Sequence, residues 1–208
     1  MATIFGLPFG VTGWKTVYDG LFLGDTFFDS RGRQHRFYTL SDRLTGDATV
    51  VNDVMVIDAT NTPAVPAGYK FDYTTTTGVT PFYTVTNTVA NGVGYAAGAP
   101  VIALVAGICG GAFAEAASAA AEDWKGILCQ TKGFHLVRGD GTTETLAGGN
   151  HVILGATAGY ACGMQAALAG TDTTAETRGT QRSHIGWSVA ADEDTDNLIA
   201  CHVSIGEF

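Results

Sequence analysis

Charge is scarce in this chain of 208 residues: Asp, Glu, Lys and Arg make up 15% of it, against 46% hydrophobic residues. An ordinary soluble domain carries about 25% charged residues. Basic residues are the scarcest, eleven Lys and Arg against twenty Asp and Glu for a net charge of −9. Nucleic-acid binding through a broad basic surface is therefore excluded. The charge present is unevenly placed. Residues 1–45 hold five basic and four acidic residues, a net of +1, while the rest of the chain holds six basic and sixteen acidic residues, a net of −10. A nearly neutral, arginine-clustered start thus precedes an acidic body, and such asymmetry suggests that the two parts face different surroundings.

Catalytic and cofactor motifs are missing as well. There is no CxxC pair among Cys109, Cys129, Cys162 and Cys201, no GxSxG elbow, no GxxxxGK[ST] and no GxGxxG. The five histidines show no HxH or HxxxH spacing, and Cys201-His202 are adjacent in a strand-like run, which sends their side chains to opposite faces. Asp192-Glu193-Asp194-Thr195-Asp196-Asn197 alternates carboxylates like a calcium loop. It has Asn197 and Val203 where an EF-hand needs Gly and Glu, so an acidic turn is the better reading. No enzyme, cofactor or metal is expected. Met1-Ala2-Thr3-Ile4 lacks a basic segment followed by an apolar one, which predicts synthesis in a reducing cytosol and free, buried thiols.

A membrane-spanning run is also lacking. From Tyr73 to Ala114 there are 42 consecutive residues without a charge, yet the apolar core Val101–Cys109 lies between Pro100 and Gly110-Gly111. A spanning helix needs about 20 apolar residues. A fully buried strand is predicted there instead.

What is present is strand text: short β-branched and apolar runs punctuated by Gly, Asn and Asp. The runs predict strands over Gln34–Leu40, Thr49–Asp58, Tyr69–Thr76, Phe82–Val89, Val101–Ile108, Lys125–Val137, His151–Leu154, His184–Val189 and Leu198–Ser204. Thr74–Thr77 and Thr84–Thr88 supply strand propensity and polarity without charge. Ala112–Glu122 has helix-favouring alanines but no clear apolar stripe, and is read as strand followed by turn. The fold expected is all-β, made of antiparallel barrel or sandwich units with an extended N-terminal arm. Weak internal likeness, Asn52–Thr60 with Asn150–Thr157 and Gly111–Gln130 with Gly186–His202, divides the chain into an arm (1–45), a first β unit with a Thr-rich insertion (46–133) and a second unit (134–208). Chance similarity of strand–turn–strand text is the equal alternative.

The N-terminal part carries two candidate docking features. Ile4-Phe5-Gly6-Leu7-Pro8-Phe9 is an apolar segment suited to being tied down on a partner through Phe5, Leu7 and Phe9. Arg31, Arg33 and Arg36 are interleaved with His35, Phe37 and Tyr38, a mix suited to nucleic acid or to an acidic protein face; on so acidic a body a protein-docking cluster, or an exposed strand balanced by Asp25, Asp29 and Asp42, is the better reading.

From Gly139-Asp140-Gly141-Thr142, through Leu146-Ala147-Gly148-Gly149-Asn150-His151-Val152-Ile153-Leu154-Gly155-Ala156-Thr157-Ala158-Gly159, to His184-Ile185-Gly186-Trp187-Ser188-Val189-Ala190, the chain resembles the capsid decoration (cement) proteins of tailed bacteriophages. The likeness covers about residues 124–208 and, more weakly, 46–116. His151 and the extra cysteine-bearing strands depart from it, and residues 1–45 match nothing in it. The resemblance implies a non-enzymatic virion protein, often trimeric, made in the host cytoplasm and seated on the outer capsid surface, where it bridges neighbouring major capsid proteins. Direct contact with nucleic acid or membrane is not expected. The alternatives are a head-fibre, tail or other minor virion component, or a β-barrel ligand-binding module or enzyme, which a pocket lined by His135, His151 and His202 would favour.

Overall fold

The computed structural model describes residues 3–4, 7–8, 23–59, 83–97, 102–114, 126–140, 148–163, 183–190 and 197–206. The fold is all-β. Its strands are β1 (Thr3–Ile4), β2 (Leu7–Pro8), β3 (Thr26–Phe28), β4 (Gln34–Leu40), β5 (Val54–Ile57), β6 (Thr84–Thr86), β7 (Val105–Cys109), β8 (Gly126–Arg138), β9 (His151–Leu154), β10 (Ala161–Gly163), β11 (His184–Ser188) and β12 (Leu198–Ser204). The predicted strand Tyr69–Thr76 and the acidic turn 192–196 lie outside the described residues. Ala112–Ala114 is not helical, and Ala114 makes an isolated antiparallel bridge to Ala48.

Five strands close a barrel in the order β8–β4–β6–β5–β7 and back to β8. Closure leaves no free edge among these strands. Four of the pairings are antiparallel. The fifth, β4 with β6, is parallel, with Thr39 opposite Thr84 and Leu40 opposite Val85, which corrects the expectation of a purely antiparallel unit. The physical reason is the path between them: β4 and β6 are separated by β5 and about forty residues, long enough for a crossover that a hairpin cannot make.

The barrel is filled by Tyr38, Leu40, Leu44, Met55, Ile57, Val85, Ala106, Cys109, Ile127 and Cys129. On its outside a second core forms. Val54, Val56, Val105 and Ile108 project outward from β5 and β7 and pack with Val137, Val152, Leu154, Ala161, Ile185, Ile199, Cys201, Val203 and Ile205. Both faces of β5 and β7 are thus buried, which is why Val54-Met55-Val56-Ile57 and Val105-Ala106-Gly107-Ile108-Cys109 read as unbroken apolar runs rather than as alternation.

The cover over β5 and β7 is a sheet ordered β10–β9–β11–β12–β8. It curls far enough for its last strand to return to the end of β8: Gly139 and Ala161 form a parallel bridge, and the Asp140 amide donates to the Ala161 carbonyl at 3.1 Å. Strand β8 belongs to both halves. Its first residues pair with β4 and β7, and Lys132–Arg138 pair with β12. Gly133, at φ +100°, sits where it passes from one to the other, with Arg33 packed so closely that an added Cβ would come within 2.9 Å of it. The boundary read at 133/134 falls at this crossing, inside one continuous strand. Within the expected arm, residues 26–28 and 34–40 are the barrel-associated strands β3 and β4.

Candidate functional site: an uncharged sheet face

The outer face of the β9–β11–β12–β8 sheet is built by register. Trp187 on β11 stands opposite His151 on β9 and His202 on β12, and His202 stands opposite Phe134 on β8. Directly opposed residues of antiparallel strands share a face, so Phe134, His202, Trp187 and His151 form one row across four strands. Leu136 stands opposite Ala200, and the Val189 amide bonds to the Ala200 carbonyl at 2.8 Å, which adds a second row beside the first. The inward residues Val137, Ile199, Cys201 and Val203 hold this sheet on the body. The outward ones are open: Phe134 is 51% exposed, Val189 56%, Trp187 42% and Leu136 40%.

At one end the rings are packed together. The His151 and Trp187 centroids lie 3.7 Å apart with planes tilted by 56°, and His184 meets both edge-on at 5.5 and 5.7 Å. Burial, and secondarily the neighbouring His151, lower the His184 pKa. Lys132, opposite Ser204, lies on β8 beside the first row. Neither row contains a carboxylate. The face is therefore an aromatic and imidazole surface on a chain whose net charge is −9.

The lining that a ligand-binding module would need is not brought together, because His135 does not share a face with His151 and His202. His135 stands opposite Cys201 and points to the other face of β8 from Phe134, with its Nδ1 2.7 Å from the Leu136 carbonyl oxygen. Burial lowers its pKa, the Leu136 carbonyl opposes that, and Arg33 adds to it. Among the described residues, no three His, Cys, Asp or Glu side chains gather as metal ligands would. No helix of the described residues is long and apolar enough to cross a membrane.

The arginine cluster is divided between inside and outside. Asp29, buried in the β3–β4 turn, accepts the Arg31 and Arg33 amides on Oδ1 at 2.9 Å each and the Arg33 Nε on Oδ2 at 2.5 Å. Burial alone would raise this carboxyl, but those donors hold its pKa at about 2. Arg31 is exposed, and Arg36 is half-buried on β4 opposite Thr26 and Cys129. Leu7 lies in a two-stranded hairpin, β1 with β2; Phe5 and Phe9 lie outside the described residues.

A buried ion pair joins the halves of the molecule, and nothing in the sequence pattern had marked it. Asp53, without solvent exposure, accepts the Val50 amide at 2.7 Å, the Asn87 side-chain amide at 3.3 Å and Arg138 Nη1 at 2.5 Å. The same guanidinium reaches the Tyr160 hydroxyl. No local motif could disclose this set, because its members are brought together from three separate turns and the end of β8.

Compared with known proteins, the chain matches no family model, no curated protein sequence and no solved structure.

Proposed function

We propose that this chain is a non-enzymatic structural subunit of a virion, one that decorates and stabilises a phage capsid by bridging neighbouring major capsid proteins. The observation that carries the reading is the uncharged row Phe134–His202–Trp187–His151 with Leu136 and Val189 beside it, presented outward on a sheet pinned from behind. Aromatic side chains on a rigid surface, without carboxylates to desolvate, are suited to protein contact rather than to catalysis. The resemblance of residues 124–208 to decoration proteins supports the same reading and suggests a homotrimer. In it the arm, through Phe5, Leu7 and Phe9 with Arg31, Arg33 and Arg36 behind it, anchors the subunit to the shell.

The test is whether the chain co-purifies with intact particles, and in what number. Stoichiometry comparable with the major capsid protein supports decoration. A copy number far below it favours a fibre, tail or other minor component, and absence from particles overturns the virion reading. Removing residues 2–10 without loss of head binding would overturn the role given to the arm.

A further inference from the structure

We propose that Cys109 and Cys129 are an oxidation site, a dithiol that a small-molecule disulfide converts into an intrachain bond tying β7 to β8 inside the barrel. The inference is independent of the virion reading. It starts from register: Cys109 stands directly opposite Cys129 in the antiparallel β7–β8 pair. The Cys109 amide donates to the Asp53 carbonyl at 2.8 Å, and its carbonyl accepts the Asn52 amide at 2.9 Å. Both backbone groups are turned toward the β5 side, so neither faces β8.

The other side of β8 agrees. Phe37 exchanges its bonds with Asp25 and Gly24, away from β8, which leaves its neighbour Arg36 to pair by hydrogen bonds with Cys129. Cys109 and Cys129 are accordingly a non-hydrogen-bonded pair, the close kind, with Cα atoms about 4.5 Å apart. A disulfide needs about 4.4–6.8 Å.

Both side chains point into the same core. Gly107 keeps the space beside them open, since a Cβ there would come within 2.6 Å of the Cys129 Cβ. In the structure all four cysteines are thiols, and Cys109 donates to the Gly111 carbonyl at 3.1 Å. Cys162 stands opposite Ile153, and Cys201 opposite His135 and Ser188. Only 109 and 129 are opposed to each other.

With oxidised glutathione as oxidant, one protein thiol loses its proton and its thiolate attacks the glutathione disulfide, expelling one glutathione thiolate and leaving a mixed disulfide. The second protein thiolate attacks the protein-side sulfur and expels the other glutathione. Two protein thiols are oxidised, one glutathione disulfide is reduced to two glutathione thiols, and two protons balance the thiolates. Burial raises the Cys109 thiol to about 11 and the Cys129 thiol well above its ordinary value. Little thiolate is present in the closed barrel, so exchange is slow in the native state and fast while the chain is refolding.

The experiment refolds the full chain from urea with and without oxidised glutathione, then blocks remaining thiols and digests with trypsin. Cleavage after Lys70, Lys125 and Lys132 places Cys109 in 71–125 and Cys129 in 126–132, with Cys162 and Cys201 each in another peptide. The expected result is a reducible link between 71–125 and 126–132, with a thermal midpoint higher by roughly 5–10 °C than that of the reduced chain. Cys129→Ser should remove the link. If that variant does not fold, the wild-type map decides alone. Four blocked thiols after oxidative refolding, or a link through Cys162 or Cys201, would overturn the proposal.

Discussion

Arg138 places its Nη1 2.5 Å from Oδ1 of Asp53, a carboxylate with no exposure to solvent, and so joins the last residue of the shared strand β8 to the turn that opens β5. The barrel and the covering sheet meet here: the Val54 amide donates to Gly159 and the Arg138 amide to Asn52, at 2.9 and 3.1 Å. Gly159 is held so close that a Cβ would lie 2.6 Å from Asp53 Oδ1. A buried ion pair adds little over an apolar replacement, but breaking one leaves a charge or a set of donors without compensation.

Asp53→Ala should therefore destabilise the protein by about 3–5 kcal/mol, and Arg138→Met by a similar amount through the stranded carboxylate. Urea denaturation of each, together with the double variant, measures the coupling. The double variant should lose clearly less than the two singles summed. Strict additivity would show that the pair is not a unit.

Gly186 gives a sharper steric prediction. It lies at the register shift between β11 and β9, and a Cβ there would sit 2.1 Å from the backbone oxygen of His202. Because the obstacle is main chain, no rotamer change relieves it. Gly186→Ala should push β11 off β12 and lower the thermal midpoint by roughly 5–10 °C, from a cost of about 3 kcal/mol. A midpoint within about 2 °C of wild type would contradict the closeness of these strands.

How much of this could be read beforehand differs by element. Leu198–Ser204 was legible to the residue, because Ile199, Cys201 and Val203 face the core while Ala200, His202 and Ser204 face out, a clean period of two. Gln34–Leu40 and His151–Leu154 were likewise matched. Val101–Ile108 was read four residues early, since Ala103 is buried and Leu104 partly buried ahead of the strand, and apolar text does not mark where pairing begins. β3 and β10 are three residues each, and Ala161-Cys162-Gly163 carries no strand propensity to notice. The aromatic face was hidden for a different reason. Alternation can point Phe134, Trp187 and His202 outward, but only the register of β8, β12 and β11 puts them in one row, and register is a property of pairs.

Acid should weaken the fold in a window set by His35. Burial pulls this imidazole down from 6.5 to about 4; Asp29 opposes the shift, while Arg33 and His135 add to it. Between those values the unfolded chain holds a proton that the folded chain does not, so stability rises with pH from about 4 to 6.5 and is complete above. Asp29 acts lower, its contribution disappearing as pH falls from 3.8 toward 2. Urea midpoints taken from pH 7 to pH 4 should decline, and His35→Gln should lessen the slope. Equal slopes in the two proteins would refute the assignment to His35.

The outward row separates stability from association. Phe134 and Leu136 are about half exposed and stand over no core of their own, so Phe134→Ser with Leu136→Ser should move the thermal midpoint by less than about 4 °C. Trp187 packs on His151 at 3.7 Å and should cost somewhat more when replaced. Binding should respond the other way round in size. An aromatic anchor at the centre of a protein interface contributes about 2 kcal/mol or more, equivalent to roughly 30-fold in affinity. Trp187→Ser and Phe134→Ser should each weaken association with heads by about that factor while the chain stays folded by circular dichroism. Unchanged association in both would remove this face from the docking surface and leave the arm to account for attachment, whereas a loss with Trp187→Ser alone would place the contact at the histidine end of the row.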